Sequence, residues 1–243
     1  MTQSTRWALL AKRFLVVGSL WLGAGGFAPL AADDHGPVVV ELFTSQGCSS
    51  CPPADALLHD LALRDDVLPL ALHVDYWDYI GWKDVFARPE HTVRQKAYAR
   101  AAGERMIYTP QMIIAGLDHI VGAKAMAVMN AIDARAALAT SVGVELHRNG
   151  STLVVSVLPP AKQEPLTVQL VRYRPKATVD ILRGENAGRT ISYSNIVTAW
   201  DDVAEWDGAE PLTMEVAVDG EDPIVVLVQR PGHGAILGAA AAR

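Results

Sequence analysis

Two hydrophobic patterns follow one another along the chain, and they meet near residue 140. Before that point, short apolar runs alternate with segments in which apolar residues recur every three or four positions. The short apolar runs are typical of buried strands, and the segments with the three- or four-residue recurrence are typical of amphipathic helices. The predicted order is β-α-β-α-β-β-α, which implies a parallel pair of strands, an antiparallel pair and covering helices. The predicted strands span 37–45, 67–74, 111–115 and 118–121, and the predicted helices span 55–63, 90–102 and 123–138.

Beyond residue 140 the pattern is mostly that of strands. Val142, Val144 and Leu146 alternate with polar residues, and Asn149-Gly150 then supplies the positive φ angles that a tight hairpin turn requires. The chain end at 238–243 is predicted to be frayed. We therefore predict an α/β domain over 37–139, followed by a β-rich, sandwich-like domain over 140–243. Its further strands are predicted at 153–157, 166–173, 178–182, 190–197, 212–218 and 224–229.

Residues 1–32 have the composition of an export signal. Arg6, Lys12 and Arg13 precede an uncharged apolar run, and small residues at 30–32 offer a cleavage site. An uncleaved anchor is the alternative, because the uncharged run is close to the ~20 residues that span a bilayer, but glycines and a proline dilute its second half. We predict a cleaved signal, a periplasmic or secreted protein, and no stable membrane insertion after cleavage.

The charge balance argues against nucleic-acid binding. The chain has 21 basic and 27 acidic residues and a formal net charge of −6, and three of the basic residues belong to the predicted export signal. Nucleic-acid binding needs clustered Lys and Arg, and the sequence contains no basic block. We predict no nucleic-acid partner.

The chain has two cysteines, Cys48 and Cys51, placed between the first predicted strand and the first predicted helix. This spacing lets two sulfurs meet in a tight turn, and a helix N-terminus favours the reactive thiolate. Pro52-Pro53 fits the first helical turn, which leaves the cysteines in the turn before it. We predict a thiol–disulfide oxidoreductase that needs no cofactor, with Cys48 as the exposed attacking sulfur and Cys51 as the resolver. Its partner would be a protein or small molecule that carries a thiol or disulfide.

Two other functions use the same sulfurs. Copper or zinc could be bound by Cys48 and Cys51, alone or with His73, as in a metal-binding or metallochaperone module. The pair could also form a static bridge. Both alternatives stay open from the spacing alone.

Glu41 and the Thr109-Pro110 pair are further candidate site residues. Glu41 interrupts an apolar strand, where burial would raise the pKa of its carboxyl and suit it to move the proton of the resolving thiol. Its alternative is a place at a sheet edge or a pair with Arg or Lys. A cis Pro110 would leave the Thr109 backbone free to pair with a substrate chain, and the alternative is an ordinary trans proline at a strand start.

Two loops and two amides are less decisive. The segment 73–84 is rich in aromatic residues, and we interpret Trp77 and Trp82 as core anchors that also form part of a cleft wall. The segment 183–189 is interpreted as a β-turn. Asn195 and Gln229 are either core polar residues or site residues.

Four segments together resemble one family of secreted bacterial proteins, the thioredoxin-like domain-of-unknown-function family 1223. They are residues 41–55, 73–84, 108–111 and 184–189. The resemblance implies a thioredoxin-like fold over 37–139, with Cys48 as nucleophile, Cys51 as resolver and Pro110 as the cis-proline. Glu41 would stand near the buried acid of thioredoxins, one residue farther from the first cysteine. Gly47 replaces the aromatic residue that precedes that cysteine in thioredoxins.

Overall fold

The strand that leads to the cysteines lies inside a large sheet. A computed structural model describes residues 36–138 and 142–242, so the predicted export signal at 1–32 lies outside the described residues. The first strand, β1 (Val38–Thr44), is buried along its whole length. It runs parallel to β2 (Val67–His73) and antiparallel to β3 (Gln111–Ile114), and β4 (Asp118–Val121) pairs with β3. A strand that is covered on both faces needs a nearly continuous apolar run, which is the pattern seen in its sequence.

Three α-helices of the described residues cover this part of the sheet. They are α1 (Pro52–Leu61), α2 (Pro89–Ala101) and α3 (Ala125–Ala136), and a short 3-10 turn spans Asp78–Ile80. Side chains alternate along β1, so Leu42 packs with α1 and α3 on one face while Phe43 packs with Tyr98 of α2 on the other. The prediction that the first helix begins at the Pro52-Pro53 pair is confirmed.

Four strands from beyond residue 140 continue the same sheet. These are β7 (Leu166–Asp180), β8 (Thr190–Trp206), β10 (Ile224–Gln229) and β11 (Ile236–Ala242). The link is a parallel contact between β2 and β8, where Ala71 is paired with Ile196. The sheet order is β11-β10-β7-β8-β2-β1-β3-β4.

A smaller sheet of three strands packs on the large one. It consists of β5 (Val144–Asn149), β6 (Thr152–Val157) and β9 (Leu212–Ala217), in the order β5-β6-β9. Leu153 and Val155 share an apolar cluster with Val168 of β7 and Val226 of β10. The predicted hairpin at Asn149-Gly150 is present, with Gly150 at a φ of 59°. The architecture is therefore α/β, with a large mixed sheet and a smaller antiparallel one.

Three predictions about the second half are wrong. The segments 166–173 and 178–182 are not two strands. They belong to the one strand β7, which continues through Pro175 and pairs with the single strand β8. The strand predicted at 190–197 runs on to Trp206. Residues 236–242 form β11 rather than a frayed end, since the apolar β10 pairs with them. No helix in the described residues has the length and hydropathy needed to cross a membrane.

Candidate functional site

The cysteines form a disulfide in the turn between β1 and α1. Cys48 and Cys51 are bonded, with their Cα atoms 5.4 Å apart. Cys51 is the residue that precedes the helix, and its carbonyl accepts hydrogen bonds from the amides of Ala54 at 2.8 Å and Asp55 at 3.1 Å. The Cys51 amide donates to the Cys48 carbonyl at 3.2 Å. The pair therefore lies where the sequence predicts it, at the end of the central strand.

Both cysteines are enclosed, and the expected exposure of Cys48 is wrong for the disulfide form. Cys48 and Cys51 are each 0% exposed, while the intervening Ser49 and Ser50 are exposed. The Ser50 hydroxyl lies 3.5 Å from the Cys48 sulfur. The turn is enclosed because two segments distant in the sequence, 73–84 and 183–189, pack against it.

Asp55 is a buried acid one helical turn after the disulfide. Its side chain is 4% exposed, and the Thr44 hydroxyl donates to its carboxyl at 2.8 Å. Burial raises the pKa of Asp55 to about 7, although the nearby His73 and the Thr44 bond act in the opposite direction. Asp55 can therefore take up or release a proton near neutral pH, one helical turn from Cys51.

A His–Asp pair lies next to this acid. His73, at the end of β2, donates from Nδ1 to Asp84 at 2.7 Å, and both side chains are inaccessible to solvent. Burial acts to raise the pKa of Asp84. The charge of His73 and the hydrogen bonds from His73, Gln46 and Phe86 outweigh burial and hold that pKa below its ordinary value. Asp84 therefore stays a carboxylate in the interior.

Gln46 fixes the chain just before Cys48 from two sides. Its amide donates to Asp84 at 2.8 Å, and its side-chain oxygen accepts a hydrogen bond from the Trp82 indole at 2.8 Å. Trp82 and Asp84 both belong to the aromatic segment 73–84. The predicted role of Trp82 as an anchor therefore corresponds to a direct contact with the cysteine turn.

Asn186 holds the same turn from the third side. Its side-chain amide donates to the carbonyls of Gln46 and Cys48, each at 2.9 Å, and the residue is 1% exposed. Asn186 belongs to the segment 183–189, in which turns close at Ala187 and Arg189. The predicted turn is thus also a contact surface for the cysteine turn.

Trp77 connects the cysteine turn to the Thr109-Pro110 pair. Its indole donates to the Thr109 hydroxyl at 2.8 Å, and the Thr109–Pro110 peptide bond is cis, as the family resemblance implies. A Cβ atom added to Gly47 would lie 3.1 Å from the Trp77 Cβ. Trp77 and Ile80 therefore leave little room for a side chain at position 47.

Glu41 lies on the other face of the sheet, away from α1. Its carboxylate forms a two-point ion pair with Arg94 of α2, at 2.6 and 2.9 Å, and accepts the Tyr98 hydroxyl at 2.5 Å. Gln229 joins this network through Arg94 and Tyr98. Of the two interpretations of Glu41 from sequence, the arrangement corresponds to the pair with a basic residue.

Gln229 and Asn195, whose roles the sequence leaves open, both have hydrogen-bond partners in the interior. Gln229 bonds to Tyr98 and to the Gly234 carbonyl, and Asn195 donates to the Pro69 carbonyl at 2.8 Å. Neither is hydrogen-bonded to the cysteine turn in these contacts. They are core polar residues by their partners.

A metal site built from the cysteines and His73 is not assembled. In residues 36–138 and 142–242 no group of three or more His, Cys, Asp or Glu side chains is arranged to hold a metal ion. His73 is instead engaged by Asp84, and both sulfurs are used in the disulfide. Thiolate is the form that binds metal, so a metal site would first need reduction of this bond.

Four of the seven buried polar atoms without a hydrogen-bond partner in the described residues belong to the cysteine turn or to side chains packed near it. They are Gln46 Nε2, His73 Nε2, Asn186 Oδ1 and the Tyr193 hydroxyl, and the other three are His119 Nδ1, Gln169 Oε1 and Trp200 Nε1. The Tyr193 ring packs edge-on against His73 at 4.9 Å. Buried polar groups are nearly always paired, so each of these exceptions calls for an explanation.

The chain belongs to the family described as protein of unknown function DUF1223, whose model matches residues 39–229. It is similar to the crystal structure of protein AGR_C_4864 from Agrobacterium tumefaciens, with 34% identity over 85% of this chain and 94% of that one, and a TM-score of 0.74. It is also similar in fold to HBP35 of Porphyromonas gingivalis, with 16% identity over 86% of this chain and 75% of that one, and a TM-score of 0.60. No curated protein matches it.

Sequence reasoning missed three residues of the site, although each lies in a recognised motif. Asp55 is four residues after Cys51, a spacing that puts two residues on the same side of a helix. Asp84 ends the aromatic segment, and Asn186 is central in 184–189. The helical spacing was a usable signal for Asp55. Asn186 had no such signal, because its contact spans 138 positions of sequence.

Proposed function

We propose that this protein is an exported thiol–disulfide oxidoreductase of thioredoxin-like architecture. The observation that carries the proposal is the Cys48–Cys51 disulfide at the start of α1, with the buried Asp55 carboxyl one helical turn beyond it. A redox-active pair, a helix N-terminus and a nearby proton acceptor are the three components that disulfide exchange uses.

The order of elements supports the thioredoxin-like assignment. From β1 to α3 the chain follows the order β-α-β-α-β-β-α, and β1 lies between the parallel β2 and the antiparallel β3. The cysteines follow the central strand, and Thr109-Pro110 immediately precedes β3. The division into domains at 37–139 and 140–243 stays a prediction within this proposal.

The proposed reaction moves two electrons between two pairs of sulfurs. In the reducing direction, the Cys48 thiolate attacks a substrate disulfide, a Cys48–substrate disulfide forms, and one substrate sulfur leaves as a thiolate. The Cys51 thiolate then attacks Cys48, which closes the Cys48–Cys51 bond and releases the second substrate sulfur. The substrate disulfide is reduced and the dithiol is oxidised, and the reverse sequence oxidises a substrate dithiol.

Asp55 supplies the proton step. Its pKa of about 7 lets the carboxylate accept the Cys51 proton as that thiol becomes the attacking group, and the proton then passes to the departing thiolate. Asp55 acts on a reacting atom in this scheme, whereas Glu41 is engaged by Arg94 on the opposite face.

The enclosure of the cysteines limits the partners. Because Cys48 is 0% exposed, a substrate sulfur reaches it only when the turn or the packed loops shift. The exposed Ser49 and Ser50 are the face of the turn that a partner meets first. We propose that the partner is a thiol or disulfide on a small molecule or on an extended protein segment.

Export is part of the proposal because of the chemistry of the pair. The sequence pattern of residues 1–32 is that of a signal, and disulfides persist in oxidising compartments outside the cytoplasm. We therefore propose a periplasmic or secreted location.

Trapping of the mixed disulfide tests the proposal. Reduced protein is mixed with insulin or scrambled ribonuclease at pH 7.5, and turnover is compared with that of Cys48→Ser, Cys51→Ser and the control Ser49→Ala. We expect exchange above the glutathione background, loss of exchange in Cys48→Ser, and a covalent adduct on Cys48 in Cys51→Ser. Turnover that is absent in the unmodified protein, or unchanged in Cys48→Ser, would overturn the proposal.

A further inference from the structure

The loop between β7 and β8 reaches across the molecule to the cysteine turn. We infer that Asn186 is a positioning residue of the redox site, whose amide holds the oxidised turn and favours the closed Cys48–Cys51 disulfide over the dithiol. The inference rests on the proposed function in one respect, which is that the pair is redox-active.

The loop itself is fixed at its base. The Ile181 amide donates to the Arg189 carbonyl at 2.9 Å, and the Gly188 amide donates back to the Ile181 carbonyl at 2.8 Å. Gly184 and Gly188 have φ angles of 78° and 82°, which a residue with a side chain rarely adopts, so glycine makes this compact turn possible. The loop therefore presents Asn186 from a closed ring of backbone hydrogen bonds.

Asn186 is the inward-facing residue of an exposed segment. Its exposed fraction is 1%, whereas Arg183, Glu185, Ala187 and Gly188 are all exposed. Burial of a side-chain amide is costly unless it is hydrogen-bonded, and both bonds of its nitrogen go to the cysteine turn. Its contacts are therefore specific to the redox pair rather than to the loop's own folding.

Asn186 donates hydrogen bonds to two carbonyl groups of the cysteine turn, those of Gln46 and Cys48. The Cys48 carbonyl accepts Asn186 Nδ2 at 2.9 Å and the Cys51 amide at 3.2 Å, so it links the loop to both cysteines. The Gln46 carbonyl accepts the other Asn186 bond, while Asp84 and Trp82 hold Gln46 from the opposite side. The segment from Gln46 to Cys48 is thus clamped between two loops.

This clamp distinguishes the two redox states. When the disulfide is reduced, the two sulfurs separate from bonding distance to van der Waals distance, and in this proposal the Cys48 backbone shifts with its side chain. Hydrogen bonds that fit the closed turn are then lengthened, so they stabilise the disulfide more than the dithiol. Loss of two bonds of ordinary net strength corresponds to a factor of about 5 to 150 in the equilibrium constant.

Equilibration with glutathione redox buffers tests the inference. The dithiol fraction of the purified protein is measured by thiol alkylation and mass spectrometry for the unmodified chain, Asn186→Asp and Asn186→Ser. Asn186→Asp keeps the shape but removes the donor, and Asn186→Ser removes most of the side chain. We expect the equilibrium constant for disulfide closure to fall by about tenfold in both, which is about 30 mV for this two-electron couple.

Asn195→Asp is the matched control. Asn195 makes the same kind of bond, from its amide to the buried Pro69 carbonyl at 2.8 Å, and its φ of 48° is one that Asp tolerates. We expect no change in its redox equilibrium. An unchanged constant in both Asn186 variants would overturn the inference, and so would an equal fall in Asn195→Asp, since that would reflect general loosening. Near-ultraviolet circular dichroism verifies that the variants compared are folded.

The result is separable from that of the proposed function. The glutathione equilibrium depends on the Cys48–Cys51 pair alone and requires no turnover of a protein substrate. Absence of insulin exchange with a normal Asn186 effect would overturn the oxidoreductase and retain the positioning role. Exchange without an Asn186 effect would do the reverse.

Discussion

The Asp55 amide donates a hydrogen bond to the Cys51 carbonyl at 3.1 Å, which places a buried carboxyl one helical turn beyond the second cysteine. The same carboxyl accepts the Thr44 hydroxyl from the last residue of β1. Strand, cysteine turn and helix therefore meet at one ionisable group. Its position gives the first prediction about exchange.

Asp55→Asn removes the proton acceptor and keeps the shape of the side chain, including an oxygen that can accept the Thr44 bond. We expect exchange at pH 7.5 to fall by about 100-fold, the lower end of the range for loss of a proton-transfer group. Rates of substrate reduction between pH 5.5 and 9 measure this. The unmodified protein should show an inflection near the Asp55 pKa of about 7, and an equal inflection in Asp55→Asn would contradict the assignment.

The same substitution should raise the stability of the fold at alkaline pH. Burial raises the pKa of Asp55 in the folded protein to about 7, above its ordinary value of 3.8, so the folded protein binds a proton that the unfolded chain releases. The free energy of unfolding therefore falls as the pH rises from about 4 to about 7, by up to ~4 kcal/mol. Urea unfolding at pH 5 and pH 8 should show a smaller decrease in Asp55→Asn. An equal decrease in both proteins would contradict the raised pKa.

The alternation of the first strand separates Glu41 from the residue that contacts Asp55. Glu41 and Thr44 are three residues apart in β1, so their side chains lie on opposite faces of the sheet. Thr44 faces α1, and Glu41 faces α2. The sequence was sufficient to find the strand and the cysteines. It did not reveal which face of the sheet α1 covers, because that depends on contacts between segments far apart in the sequence.

Glu41→Gln should damage stability rather than exchange. The neutral amide leaves the Arg94 charge, 8% exposed, without its carboxylate partner, and we expect a loss of about 3–5 kcal/mol in the free energy of unfolding. The rate of exchange per folded molecule should stay within about twofold. Glu164→Gln is the control, because it breaks an exposed two-point pair with Arg230, for which ~1 kcal/mol or less is expected. A large fall in exchange in folded Glu41→Gln would restore its catalytic role.

The helix α2 shows why the rest of this network was not predicted. Helical periodicity predicts Val93 on the buried apolar stripe of this helix, but Val93 is 61% exposed, while Arg94 and Gln95 are buried. Arginine in the interior requires a partner from elsewhere in the chain, and its partner Glu41 is 53 residues away. Periodicity predicts a helix correctly and assigns the wrong face when polar residues are buried in pairs. The same reasoning applies to Asn186.

His91 should make the protein sensitive to acid. Its ring is 3% exposed and bonds to the His73 carbonyl at 2.8 Å, and burial lowers its pKa to about 4. Between about pH 6.5 and pH 4 the unfolded chain binds a proton at His91 that the folded protein does not bind. The free energy of unfolding therefore falls by ~3 kcal/mol as the pH drops through this range. His91→Asn keeps a donor at the same place and cannot titrate.

Unfolding at pH 7 and pH 4.5 measures this effect. We expect the pH-dependent loss to be smaller in His91→Asn, and unchanged in the control His147→Asn, which alters an exposed histidine. Equal acid sensitivity in His91→Asn and the unmodified protein would show that His91 is not the group responsible. The titration of Asp55 changes the free energy of unfolding in the opposite direction over this pH range. The effect of His91→Asn is therefore measured in a protein that also carries Asp55→Asn.

The two serines between the cysteines provide the last prediction, since they are neighbours with different contacts. Both are exposed, but the Ser50 hydroxyl lies 3.5 Å from the Cys48 sulfur. In the reduced protein a hydroxyl at this place can donate to the Cys48 thiolate, and hydrogen bonds to charged groups are stronger than neutral ones. We expect Ser50→Ala to slow iodoacetamide alkylation of reduced Cys48 at pH 7 by about three- to tenfold. Ser49→Ala is the matched control and should alkylate at the normal rate. If the two variants behave alike, the Ser50 contact does not stabilise the thiolate, and the reactivity of Cys48 must come from the helix N-terminus alone.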